Sequence, residues 1–285
     1  MARIITLILL LSGFISGITS AQGYDTGQKK TSPYFQWPEG KKIALSLTFD
    51  DARLTQIDKG IPLLDNYNVK ATFYVSPNSM KQRLDGWKKA VANGHDIGNH
   101  SMVHPCSGNF QWARQRALED YTIKKMRNEL DSANKLIKNL LGVEPVSFGY
   151  PCGQKYVGRG KKTKSYIPLI AKMFETGRGW LDEAPNDPSY CDMAKLYGME
   201  LDGKSFDQVL KLIETTKAQG GWLILAGHEM NDSGHQTSQL STIEALCKYA
   251  MDPSNGIWID NVHNVAAYVI SQRLAKSAEL RAQGK

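Results

Sequence analysis

A chain of 285 residues can bury a substantial core and is an ordinary length for a single barrel-like domain. Its net charge of +7 is a mild basic bias of the kind that keeps a protein soluble or suits an anionic neighbour. The densest basic stretch, Lys155 to Lys164 with Arg159, Lys161 and Lys162, matches no nucleic-acid-binding motif, so it reads as a solvated loop and a nucleic-acid partner is not expected.

The first residues place Arg3 ahead of an apolar core, Ile4 through Leu11, and then small residues from Gly17 to Gln22. This pattern predicts a secretory signal peptide over residues 1–21, too short for a lasting span, and hence export to the periplasm or the extracellular space. No cysteine lies near the expected cleavage point, so no stable membrane anchor is expected. A polar linker is predicted over residues 22–36 and a single folded domain over residues 37–285.

Ile43 to Phe49 alternates and is rich in strand formers, and it ends in Thr48-Phe49-Asp50-Asp51-Ala52. In an extended chain neighbouring side chains point to opposite sides, which suits one aspartate to a metal and the other to accepting a proton beside it. Val69 to Val75 reads as a second strand. Gly94 to Asn99 reads as a third, entering the segment His100-Ser101-Met102-Val103-His104-Pro105, whose two histidines, spaced i, i+4, would project from one face of a helical turn. Leu118 through Leu140 is the clearest helix, with Leu118, Tyr121, Met126, Leu130, Ala133, Ile137 and Leu140 mostly on one stripe and Gly142 placed to stop it. Further strands are predicted at Val146–Tyr150, Leu196–Leu201 and Trp222–Ala226, and helices at Phe206–Lys217 and Val265–Leu274. This alternation means an α/β architecture with parallel strands, and no internal repeat interrupts it.

Taken singly, these clusters have bland readings. Adjacent aspartates after a strand often cap a helix, and two histidines four apart are common on helix surfaces. Their conjunction is more telling, because Asp50, His100, Cys152 and His228 all fall just after predicted strands, where barrel chemistry collects. One carboxylate and two imidazoles suit a divalent metal, zinc by default, with cobalt, nickel or manganese as alternatives; a catalytic zinc site keeps a fourth position for water. Four cysteines permit two disulfides. A Cys106 to Cys152 bridge would brace the metal loop, while free thiols, or cysteine as a zinc ligand, stay open. His95 and His263 read as structural.

With Thr48-Phe49-Asp50-Asp51, His100-Ser101-x-x-His104-Pro105, Phe148-Gly149-Tyr150-Pro151-Cys152-Gly153, Trp180 and a late His228, the chain resembles the polysaccharide deacetylases with a NodB homology domain, carbohydrate esterase family 4. The resemblance implies a deformed (β/α) barrel with fewer intact units than the regular eight, acting on N- or O-acetyl groups of an acetylated polysaccharide. It implies Asp50 as general base, Asp51, His100 and His104 as metal ligands, and His228 as general acid, with His235 ranked behind it because only His228 ends a strand. Tyr150, Cys152, Arg178, Trp180 and Leu225 are expected to bind substrate, the Cys152 N–H serving the tetrahedral oxyanion.

Three departures stand out. Gly149 occupies the place of an arginine that neighbours the base in the family, and Arg178 is expected to supply that guanidinium from another loop. No aspartate precedes Trp180 to orient the acid histidine, which leaves Asp182 or Asp192 to do so. Leu225 lies three residues before His228, where the family has leucine two before. Two alternatives therefore stay open: a C–N hydrolase acting on a small amide or cyclic imide, and a metal-binding, carbohydrate-binding pseudoenzyme.

Overall fold

The computed structural model describes residues 35–284. The expected signal peptide, and the linker as far as residue 34, lie outside the described residues. Phe35 and Gln36, read as linker from the sequence, belong to the fold: Phe35 meets Trp37 edge-on at 4.9 Å, and Tyr268 donates its hydroxyl to the Gln36 carbonyl at 2.7 Å.

Eight strands form one sheet: β1 (Ile43–Asp50), β2 (Thr72–Val75), β3 (Asp96–Asn99), β4 (Ser147–Gly149), β5 (Thr176–Arg178), β6 (Met199–Glu200), β7 (Trp222–Gly227) and β8 (Ile257–Ile259). Their order is β5-β4-β3-β2-β1-β7-β6, every pairing is parallel, and β8 pairs with the first three residues of β1 while β2 pairs with its last three. Helices connect the strands, as parallel pairing requires. The expected strand Leu196–Leu201 is split for a reason that matters to the whole sheet. Leu196 bridges to Arg178 of β5, donating to the Gly177 carbonyl at 2.7 Å and accepting from the Gly179 N–H at 2.8 Å, whereas Met199 and Glu200 pair with β7. One short segment thus joins the two edges of the sheet and curls it into a deformed barrel.

β1 is buried along its entire length, so its alternation separates two interiors rather than core from solvent. Ile43, Leu45, Leu47 and Phe49 pack with Phe73, Trp87 and Ile213 beneath the helices. The alternate positions face inward: Ala44 meets Trp222 and Ile224, the Ser46 hydroxyl accepts from Trp222 Nε1 at 3.0 Å, and Thr48 donates to the Leu225 carbonyl at 2.8 Å. Asp50 continues this inner series. The long helix runs Ile123–Leu141 rather than from Leu118, because Thr122 caps it by accepting from the Lys125 N–H at 3.1 Å and Leu118–Asp120 forms a separate 3-10 turn. Gly142, at φ 74°, ends it as expected. The carboxyl-terminal helix is longer than its apolar pattern predicted, spanning Val262–Ala282. Among the described residues no helix is long and apolar enough to cross a membrane.

Candidate active site

The site begins where β1 stops. Asp50, nearly fully buried, points into the barrel mouth, and Asp51 comes round to the same cavity instead of pointing away. The two neighbouring side chains do not diverge, because Asp51 and Ala52 adopt φ of 75° and 56°, a left-handed turn that costs about 1–3 kcal/mol per non-glycine residue and persists only where the surroundings over-determine it. Asp51 Oδ1 consequently lies 3.6 Å from His100 Nε2 and 3.5 Å from His104 Nε2.

The two histidines are not on a helical turn. Ser101 and His104 have φ of 65° and 51°, and the loop they shape is held by the long helix behind it. The Met102 and Val103 N–H groups donate to Glu129 Oε1 at 3.0 and 2.8 Å. Asn99 accepts from the Ser101 N–H and itself donates to the Leu130 carbonyl and Asn134. His100 Nδ1 sits 2.9 Å from the Gly149 carbonyl, an acceptor that fixes the proton on Nδ1 and leaves Nε2 as a lone pair toward Asp51.

Electrostatics favour the charge states a cation needs. Burial alone would raise the Asp51 carboxyl, but His100, His104, Arg53 and His228 outweigh it and bring it down to about 2. Burial and the neighbouring His100 push His104 down to about 4 against the pull of Asp51 and Asp50. The Asp51 carboxylate oxygen and the imidazole nitrogens of His100 and His104 lie within 4.8 Å of one another, with Asp51 ionised and His104 neutral near neutral pH. This donor set fits a divalent metal. His104, Cys106 and Cys152 are equally close, but Cys106 and Cys152 are joined as a disulfide and offer no thiolate; Cys191 and Cys247 are free.

Asp50 is paired to Arg178, whose fully buried guanidinium donates from Nη2 to Asp50 Oδ1 and from Nη1 to the Gly179 carbonyl at 2.7 Å. It lies 4.7 Å from the centre of the Tyr74 ring, a cation–π contact. Arg178 stands directly across the β4–β5 register from Gly149. A Cβ on Gly149 would lie 2.8 Å from Tyr74 Cγ and 3.0 Å from His100 Nδ1, so that strand has no room for a side chain and the guanidinium arrives from its neighbour.

His228, at the end of β7, is oriented by a residue that sequence reasoning missed. Its Nδ1 lies 2.6 Å from Asp202 Oδ2 and its backbone N–H donates to Asp202 Oδ1 at 3.1 Å, while Ser238 donates to the same oxygen at 2.7 Å. Burial lowers the His228 pKa, but the Asp202 hydrogen bond together with the charges of Asp50, Asp202 and Asp51 more than reverses this and raises it. The two expected partners are engaged elsewhere: Asp182 accepts from the Gly198 N–H and Asp192 caps Ala194. Gln56 was missed as well. Fully buried, its Nε2 donates to the carbonyls of Asp50 and His228 at 2.7 and 2.8 Å and ties the two strand ends together. The signal for Asp202 was its position just past a predicted strand; Gln56 has no local signal.

A cavity of about 780 Å³ is lined by Asp50, Asp51, His100, His104, Cys152 and His228, with Trp180 at its wall and His235 exposed at its rim. The Trp180 ring meets His228 edge-on at 5.2 Å. Three expected substrate contacts are not there: Arg178 is fully buried behind Asp50 and does not line the cavity, and Tyr150 and Leu225 turn away from it. Tyr150 alternates with Gly149 and so turns outward into the cluster of Phe148 and Tyr166, where its hydroxyl donates to the Ala194 carbonyl. Leu225 likewise faces the helix layer with Leu223; the inner positions of β7 are Ile224 and Ala226.

Comparisons agree with this architecture. Residues 37–166 match the family described as polysaccharide deacetylase. The chain is 31% identical over 137 residues to the peptidoglycan-N-acetylglucosamine deacetylase PgdA of Listeria monocytogenes, covering 48% of this chain and 26% of that protein. It is 32% identical over 97 residues to the uncharacterized protein YlxY of Bacillus subtilis, covering 34% and 27%. The chain thus spans about a quarter of the length of these relatives. A putative polysaccharide deacetylase from Mycobacterium smegmatis has the same fold, with a TM-score of 0.60 at 16% identity over 84% of this chain and 94% of that one. The matched segment holds Asp50, Asp51, His100, His104 and Cys152, while Arg178, Asp202 and His228 lie beyond it. The likeness to the polysaccharide deacetylases thus rests on residues 37–166, and the fold of the whole described chain agrees with it.

Proposed function

We propose that this chain is an exported, metal-dependent hydrolase that removes acetyl groups from a polysaccharide. The observation that carries the reading is the convergence of Asp51 with His100 and His104, in one cavity with a carboxylate paired to Arg178 and a histidine paired to Asp202. Asp51, His100 and His104 would hold the ion, zinc by default. Such an ion supplies Lewis acidity toward the attacking water and the acyl oxygen.

The chain's own groups divide the remaining work. Asp50, its Oδ2 3.9 Å from His100 Nε2, takes the proton of the attacking water, and the buried guanidinium of Arg178 keeps this carboxylate in place. His228 carries its second proton on Nε2, because Asp202 accepts from Nδ1, and delivers it to the departing amine or alkoxide. The Cys152 N–H donates to the oxyanion of the tetrahedral intermediate. Trp180 walls the acetyl-bearing sugar beside His228. Export is supported by the apolar amino-terminal segment and by the disulfide, a bond that persists in oxidising compartments. Peptidoglycan is the first polymer to try, since the Listeria relative is named for it.

The test is acetate release from peptidoglycan, chitin oligomers and acetylated xylan by the metal-loaded chain beside its Asp50→Asn variant. Release abolished by the substitution and by chelation is the expected result. Hydrolysis of soluble amides or cyclic imides without glycan turnover would replace this reading with the small-amide hydrolase, and glycan binding without release would replace it with the pseudoenzyme.

A further inference from the structure

We infer that Trp112 and Phe110 form a sugar-stacking subsite that holds a pyranose ring of the polymer beside the acetylated one; this deepens the proposed function and rests on it for the identity of the polymer. Both rings line the same cavity as the catalytic cluster, yet they are 51% and 44% exposed. They stack on each other at 5.6 Å with planes 26° apart, and the Trp112 ring lies 5.8 Å from that of His104. Two large aromatic rings left half in water at the mouth of the cavity do little for the core, and such patches mark ligand grooves.

The segment that carries them is held at both ends. Cys106 is tied to Cys152, and the Ser107 N–H donates to Gln154 Oε1 at 2.7 Å. Glu119 accepts from the Ser107 hydroxyl at 2.5 Å and from the Gly108 N–H at 2.9 Å. The Arg116 guanidinium lies 5.4 Å from the Trp112 ring centre and donates toward the His104 carbonyl at 3.4 Å. A platform fixed before binding spends little conformational entropy on its ligand.

One stretch of the cavity wall is polar. Ser76 is 9% exposed and its hydroxyl has no hydrogen-bond partner, and Asn78 and Ser79 lie beside it on the same wall. A ligand that offers a flat C–H face to aromatic rings and several hydroxyls to amide and hydroxyl groups is a pyranose. The cavity also adjoins a second one of about 570 Å³ through Arg53, Ser79 and His235, so a chain of sugars can continue past the cluster rather than end in it.

Calorimetric titration of the full chain with tetramers of β-1,4-linked N-acetylglucosamine and of acetylated xylose tests the assignment, with Trp112→Ala and Trp112→Phe alongside. Loss of one stacking face should weaken binding about tenfold in Trp112→Ala, and Trp112→Phe, which keeps a ring, should retain most of the affinity. In turnover, KM for the tetramer should rise in Trp112→Ala with kcat unchanged, while 4-nitrophenyl acetate, which has no sugar to stack, is hydrolysed as before. Equal affinity of wild type and Trp112→Ala, or no binding of either tetramer by the wild type, overturns the subsite. Trp112-dependent binding without acetate release leaves the subsite standing and removes the deacetylase reading.

Discussion

Asp202 occupies the second position after a two-residue strand and decides the protonation of a histidine 26 residues away. In Asp202→Asn the side chain keeps its shape and loses its charge, so the burial that lowers the His228 pKa is opposed by less. Under the proposed mechanism, in which His228 acts in its protonated form, the pH above which activity falls should move downward, and kcat at neutral pH should drop by roughly a hundredfold. A pH–rate profile with an unmoved alkaline limb would mean that His228 is not the titrating acid. At this scale the sequence was legible wherever a polar residue ends a strand: Asp50, Asp51, His100 and His228 meet in one cavity for that reason. It misled where strand parity ruled. Tyr150 and Leu225 sit one residue from inward-facing positions and therefore point out of the barrel, a distinction that a motif quoted as a string does not carry.

The loop from Asn99 to Cys106 shows why element-scale detail was less readable. Spacing of i, i+4 suggested a helix, but the two imidazoles meet because Ser101 and His104 are left-handed, and those angles are imposed by Glu129, Leu130 and Asn134 of a helix far along the chain. The disulfide then joins this loop to the turn at Cys152, enclosing 46 residues of separation. By the entropy of closing such a loop, Cys106→Ser with Cys152→Ser should lower stability by up to about 4 kcal/mol, read from denaturant midpoints. Acetate release should fall as well, since His104 and the Cys152 N–H lose their common brace. An unchanged midpoint would argue that the bridge contributes nothing in solution.

Across the whole molecule, alternating strand and helix patterns were enough to read a parallel α/β fold, whereas closure through the single bridge at Leu196 has no sequence signature. Gathering Asp50, Asp51, His100, His104 and His228 in one cavity makes the stability of the metal-free chain depend on pH. His104, depressed to about 4 from an ordinary 6.5, costs nothing above the ordinary value and destabilises progressively as pH falls from there toward 4. Asp51, at about 2 against 3.8, contributes stability above 3.8 that is lost as pH falls through 2. His228, raised, acts with the opposite sign, its contribution present below 6.5 and lost as pH rises through its folded value. Unfolding midpoints in chelator should therefore decline from pH 6.5 to 4, and His104→Gln should flatten that decline; an equal slope in the variant would remove His104 as its source. Added zinc should raise the midpoint in proportion to the logarithm of its free concentration.

The guanidinium that stands opposite Gly149 makes two facing positions unequal. Because β4 and β5 run parallel and in register, a positive charge at 178 arrives beside Asp50. The facing position is barred to it, since Tyr74 and His100 fill the space that a side chain at 149 would need. An arginine moved from 178 to 149 would have to displace both rings before it could reach the base, so the swap is not neutral even though the two Cα atoms are partners across the sheet.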